Sequence, residues 1–155
     1  MKKLAVIAMA AAVLLILAGC GGSSQSSAAS SGSAEASSSQ ASAKAFDGSV
    51  FADTGEGTMY LRTAGGTSEG GNVPEIAAKS NSVMQIEIDT EGMDGSVCTV
   101  YVDGVENTTV NAGERSQNAL TLQGDALAAG THTVELVKMD GDKPAIYKKA
   151  EYKVA

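Results

Sequence analysis

Reactive side chains are few in this chain, and their scarcity bounds the chemistry. His132 is the only histidine among 155 residues, and the cysteines are Cys20 and Cys98. A serine-type triad or a histidine general base would therefore depend on His132. Flanked by Thr131 and Thr133 at the start of an alternating run, His132 reads instead as a residue that caps or lines the edge of a core. Cys98 alternates with Val100 and Val102, which predicts a buried, inert thiol. Transition metals need more His and Cys than this. Calcium asks for about six to eight oxygen ligands. Its weak candidates are Asp89, Glu91 and Asp94 ahead of Gly95, and Asp140 and Asp142 around Gly141, at spacings unlike an EF-hand loop. The expectation is a non-enzymatic domain with no cofactor.

Binding chemistry is better supplied. Sugar recognition commonly stacks a ring on an exposed aromatic side chain; the chain has no Trp and four tyrosines, at 60, 101, 147 and 152. Alternation turns Tyr152 inward and points Tyr101 and Tyr147 away from the apolar faces of their strands, making these two the candidate stacking surfaces. Gly66, Glu69 and Asn72 lie in a glycine-rich stretch, residues 65–72, and long loops on a rigid scaffold carry recognition. Asn107-Thr108-Thr109 fits the N-glycosylation sequon and reads as a coincidence of a turn-to-strand segment.

At the other end of the chain stand Lys2-Lys3, an apolar run over residues 4–18, and Leu17-Ala18-Gly19-Cys20. A basic start and a short apolar stretch match a secretory leader and fall below the roughly 20 residues of a membrane span. Cys20 directly after Leu-Ala-Gly resembles the lipobox of bacterial lipoproteins. That resemblance implies a leader at 1–19, a diacylglyceryl group on the Cys20 thiol, cleavage before it and a membrane-anchored protein exposed outside the cytoplasm. Cys98 is then the sole remaining thiol, so no disulfide framework exists.

Residues 20–45 read as a tether. The 25 residues after Cys20 comprise 11 Ser, 7 Ala and 3 Gly with Glu35 and Lys44 as the only charges, too little apolar surface to fold. A flexible chain of that length spans roughly 25–30 Å. Beyond the leader the chain carries 9 basic and 18 acidic residues, a net charge of −9, which argues against nucleic acid as a partner.

The remainder, residues 46–155, is long enough for one hydrophobic core. Residues 83–89 alternate, with Met84, Ile86 and Ile88 inward and Gln85, Glu87 and Asp89 outward. A strand over 97–102 follows, and Asp103-Gly104 predicts a type I′ hairpin returning through 108–110. Further strands are expected at 49–52, 58–62, 119–122, 131–137 and 147–154, the last an edge strand with Lys149, Glu151 and Lys153 outward. Residues 125–129 read as one helical turn ended by Gly130, with Leu127 plugging the gap between sheets. Short strands without a long helical period predict an all-β, antiparallel two-sheet sandwich.

Tyr101-Val102-Asp103-Gly104 and Leu127-Ala128-Ala129-Gly130-Thr131-His132-Thr133-Val134 resemble galactose-binding-like jelly-roll domains and immunoglobulin-like bacterial surface domains. One such jelly-roll domain precedes the catalytic domain of certain carbohydrate esterases, whose nucleophile lies in a Gly-Asp-Ser motif. Gly124-Asp125-Ala126 stands in this chain, so the resemblance carries over no catalytic residue. The expected function is a lipid-anchored envelope protein that presents its sandwich to a protein partner or serves as a surface spacer. A glycan partner is the alternative, and a hydrolase using His132 the remote one.

Overall fold

The computed structural model describes residues 45–79 and 81–155; the leader, Cys20 and the tether to residue 44 lie outside the described residues. Nine strands follow in chain order: β1 (Thr58–Thr63), β2 (Gly66–Thr67), β3 (Glu75–Ile76), β4 (Val83–Glu91), β5 (Ser96–Val102), β6 (Val105–Ala112), β7 (Arg115–Gln123), β8 (Gly130–Asp140) and β9 (Lys143–Val154). They form two sheets, ordered β2-β1-β4-β7 and β3-β9-β8-β5-β6. Pairing is antiparallel throughout except where β3 adds parallel to the end of β9. The fold is an all-β sandwich. With β1-β4-β7 in one sheet and β9-β8-β5-β6 in the other, its strand order is that of immunoglobulin-type sandwiches.

Alternation decides which side chains meet. The four-stranded sheet contributes Leu61, Ile86, Ile88, Leu120 and Leu122, and the other contributes Val100, Val102, Val134, Leu136 and Tyr152, all buried. Each such burial contributes roughly 1.5–3 kcal/mol. Cys98 is fully buried among them, and burial pushes its thiol pKa up. Asp103 and Gly104 turn the β5–β6 hairpin with φ of 50° and 77°, the left-handed pair that a type I′ turn requires. Residues 124–127 form a 3₁₀ turn that packs Ala126 and Leu127 against the core.

The amino-terminal part departs from expectation. Residues 49–52 are not a strand. Asp47 caps a 3₁₀ turn at Gly48–Val50 by accepting from the Ser49 amide, which competes with extended pairing. Residues 46–54 then run as a strap over the outer face of the five-stranded sheet. Phe46 stacks on Tyr101 at 4.6 Å, and the Phe46 amide donates to Gly104 O. Gly48 passes so close to Glu135 and Tyr147 that a Cβ there would lie 2.6 Å from the Tyr147 hydroxyl. Thr54 then bridges to Tyr147.

The stretch at 65–72 is likewise not all loop: β2 closes a short hairpin on β1, and Glu69–Gly71 makes a 3₁₀ turn. β9 is an edge only in part, because Thr54 and β3 pair with its outer side at two places.

Candidate functional site

A groove of about 660 Å³ lies where β1 of one sheet faces β9 of the other, flanked by residues 68–73. Its walls bring together Tyr60, Glu69, Asn72, Glu91, Lys149 and Glu151. Met59 and Leu61 face the core, so alternation places Tyr60 on the outer face of β1. Register then sets Tyr60 beside Asp89 and Thr58 beside Glu91. The Tyr60 hydroxyl donates to Glu91 Oε1 at 3.1 Å. Partial burial and then this bond raise the phenol's pKa. Asn72 Nδ2 donates to Glu69 O at 2.7 Å, which fixes the turn at the groove rim.

Beside the groove, a depression of about 470 Å³ on the outer face of β1, β4 and β7 shares Tyr60 and Glu91 with it. There Arg62 holds Asp89 Oδ2 through Nε at 3.0 Å and Nη2 at 2.9 Å. Asp89 points to the outer side as alternation requires, yet it is only 3% exposed, and its Oδ1 has no hydrogen-bond partner among the described residues. The expectation that it faces water is corrected: long neighbours on a sheet face shield a short carboxylate.

Of the ligand-contact residues singled out by sequence, Glu69 and Asn72 reach the groove, as does the calcium candidate Glu91. Gly66 does not; it belongs to the β1–β2 hairpin opposite Thr63. Tyr101 and Tyr147 do not offer stacking faces there. Phe46 covers Tyr101, and Tyr147 is 3% exposed with its hydroxyl 2.7 Å from Glu135 Oε1 and 2.9 Å from Gly48 O, two acceptors that share its one proton. The strap was invisible to alternation, since it pairs aromatic rings across long sequence separation. Sequence reasoning missed Tyr60; it expected the edge of β9 but not the places where Thr54 and β3 close it. The outward position of Tyr60 between Met59 and Leu61 was the available signal.

The calcium candidates are scattered. Asp89 pairs with Arg62, Glu91 accepts from Tyr60, and Asp94 accepts from the Ser96 amide at 3.0 Å with Lys138 3.8 Å away. Asp140 ends β8 and Asp142 lies in the β8–β9 turn. Among the described residues no three His, Cys, Asp or Glu side chains gather to hold a metal. Asn107 Nδ2 donates to Thr121 O at 3.0 Å, fastening the β6 edge to β7.

His132 is fully engaged. Nδ1 lies 2.6 Å from Asp103 Oδ2, Nε2 lies 2.7 Å from Ala128 O, and the ring stacks on Tyr152. Both partners are acceptors, so the doubly protonated ring satisfies both bonds and no nitrogen is left to act as a base. Burial opposes the cation, but the bonds to Ala128 and Asp103 outweigh it and the pKa is raised from 6.5. A group whose folded pKa is raised adds stability that is whole below its unfolded pKa and is lost as pH rises through the folded one. The urea midpoint of the full chain is therefore expected to fall as pH climbs above about 6.5. His132→Gln should flatten that slope; a slope unchanged by the substitution would contradict the assignment.

No protein-family model, no curated protein and no solved structure matches this chain. Among the described residues no helix is long and apolar enough to cross a membrane.

Proposed function

We propose that the protein is a lipid-anchored bacterial envelope protein whose sandwich is a non-catalytic module for protein interaction, held off the membrane by its serine-rich tether. The anchoring rests on Lys2-Lys3, the short apolar run and Leu17-Ala18-Gly19-Cys20. The observation that carries the interaction reading is the groove between β1 and β9, which combines mixed charge with open strand edges. The engagement of both His132 nitrogens supports the non-catalytic part. Net acidity disfavours nucleic acid.

A glycan partner is the second reading, favoured by one observation: Tyr60, half-buried, borders both the groove and the neighbouring depression. Two measurements separate the readings. A photo-crosslinking residue at Asn72, introduced into the full chain in cells, is expected to give a discrete protein adduct that the same residue at Asp142 does not give. A glycan array probed with the full chain in detergent is expected to stay blank. A sugar hit abolished by Tyr60→Ala would overturn the protein-partner reading.

A further inference from the structure

The outer edge of β9 is used by the chain itself at two places and left open between them. Thr54 exchanges both main-chain bonds with Tyr147, at 3.0 and 3.1 Å. Farther along, the Lys153 amide donates to Pro74 O and the Ala155 amide to Ile76 O, each at 3.0 Å. In a strand, groups that point to the same edge recur every second residue. Tyr147, Lys153 and Ala155 therefore fix the direction of the two residues between: the N–H and C=O of Lys149 and Glu151 also face this edge. The inner ladder agrees, since the Asp103 amide donates to Thr133 O and so turns the main chain of Thr133, the register partner of Glu151, toward β5. Among the described residues neither Lys149 nor Glu151 has a main-chain partner on the outer side.

The facing wall is similar. On β1, Leu61 is closed off by Ser68, whose Oγ accepts from the Leu61 amide at 2.8 Å and whose amide donates to Leu61 O at 2.9 Å. Met59, two residues earlier, presents its main chain to the same groove with no such closure among the described residues. From Tyr147 to Lys153 the edge runs about 20 Å at roughly 3.3 Å per residue, and its ends are taken. What remains suits an extended segment of about four residues. The side chains set its charge: Glu69, Glu91 and Glu151 stand against the single ammonium of Lys149.

We propose that this gap receives an extended, cationic segment of a partner protein as an added strand between Thr54 and β3. The inference rests on the protein-interaction reading and names the chemistry of the partner. Main-chain bonds to Lys149 and Glu151 supply affinity and the carboxylates select for lysine or arginine, the division of labour of strand addition. The outward lysines at 149 and 153 keep the edge from pairing indiscriminately.

The test uses the full chain in detergent micelles and three capped pentapeptides: Val-Lys-Val-Lys-Val, its Glu counterpart, and the Lys peptide with N-methylated backbone amides. The Lys peptide is expected to shift the amide resonances of Lys149 and Glu151 and to bind at least tenfold more tightly than the other two. Glu151→Pro removes an N–H that no strand among the described residues uses, so the sandwich should persist and the peptide should be lost. Should that variant unfold, Glu69→Lys, on an exposed turn, is expected to weaken the Lys peptide several-fold without altering the unfolding midpoint. Equal affinity for all three peptides, shifts confined to other strands, absence of binding, or occupancy of the gap by the chain's own residues 21–44 would each overturn strand addition. An Asn72 crosslink to a protein in cells would still uphold the interaction reading in those cases, and its absence would count against that reading separately.

Discussion

Tyr152→Ala is expected to destabilise the sandwich by about 4 kcal/mol, within the range for removing a buried aromatic side chain. Tyr152 has no exposure and sits in β9 opposite His132, on whose ring it stacks with centroids 5.1 Å apart. Its hydroxyl donates to Ala126 O at 2.6 Å and so ties the 3₁₀ turn after β7 to the last strand. Alanine would leave a cavity between the sheets, strand the Ala126 carbonyl and uncover the His132 ring. Tyr152→Phe keeps the ring and loses only the bond, at a cost of about 1 kcal/mol. Urea unfolding of the full chain, followed by circular dichroism, reads both values. A Tyr152→Ala midpoint close to the parent's would mean that this ring does not hold the end of the sandwich.

The strands and their faces were legible wherever alternation was unbroken. Met84, Ile86 and Ile88 point inward, Cys98, Val100 and Val102 share a buried face, and Asp103-Gly104 makes the turn that its residues predict. Each of these rests on interactions within a strand or between chain neighbours. The strap over residues 46–54 was not legible, because what holds it lies far away in sequence: Phe46 on Tyr101, Gly48 beneath Tyr147, Thr54 on Tyr147. A polar cap at Asp47 also overrode the β-prone look of the residues after it.

The groove was half legible. Glycine-rich residues 65–72 drew attention to Glu69 and Asn72, both of which line it. The opposite wall was expected as an edge strand with Lys149 and Glu151 outward, but how far that edge stays open depends on what pairs with it, and only the register of β9 with Thr54 and β3 shows that. Tyrosine roles were inverted for a related reason. Alternation gives a side chain's direction but not what covers it, so Tyr101 and Tyr147 came out covered while Tyr60, from a less regular stretch, borders the groove.

Lipid attachment at Cys20 is the claim on which presentation at a membrane surface depends, and its expected effect is all or none. A diacylglyceryl group contributes about 0.8 kcal/mol per buried CH₂ over two chains, enough for stable anchoring without a membrane span. Cells expressing the full chain should incorporate labelled palmitate into it, and globomycin, which blocks the lipoprotein peptidase, should leave the uncut precursor. The most direct measurement is palmitate labelling of the Cys20→Ala chain. The account predicts that label disappears completely and that the protein runs at the size of the precursor. Label retained by Cys20→Ala would contradict it.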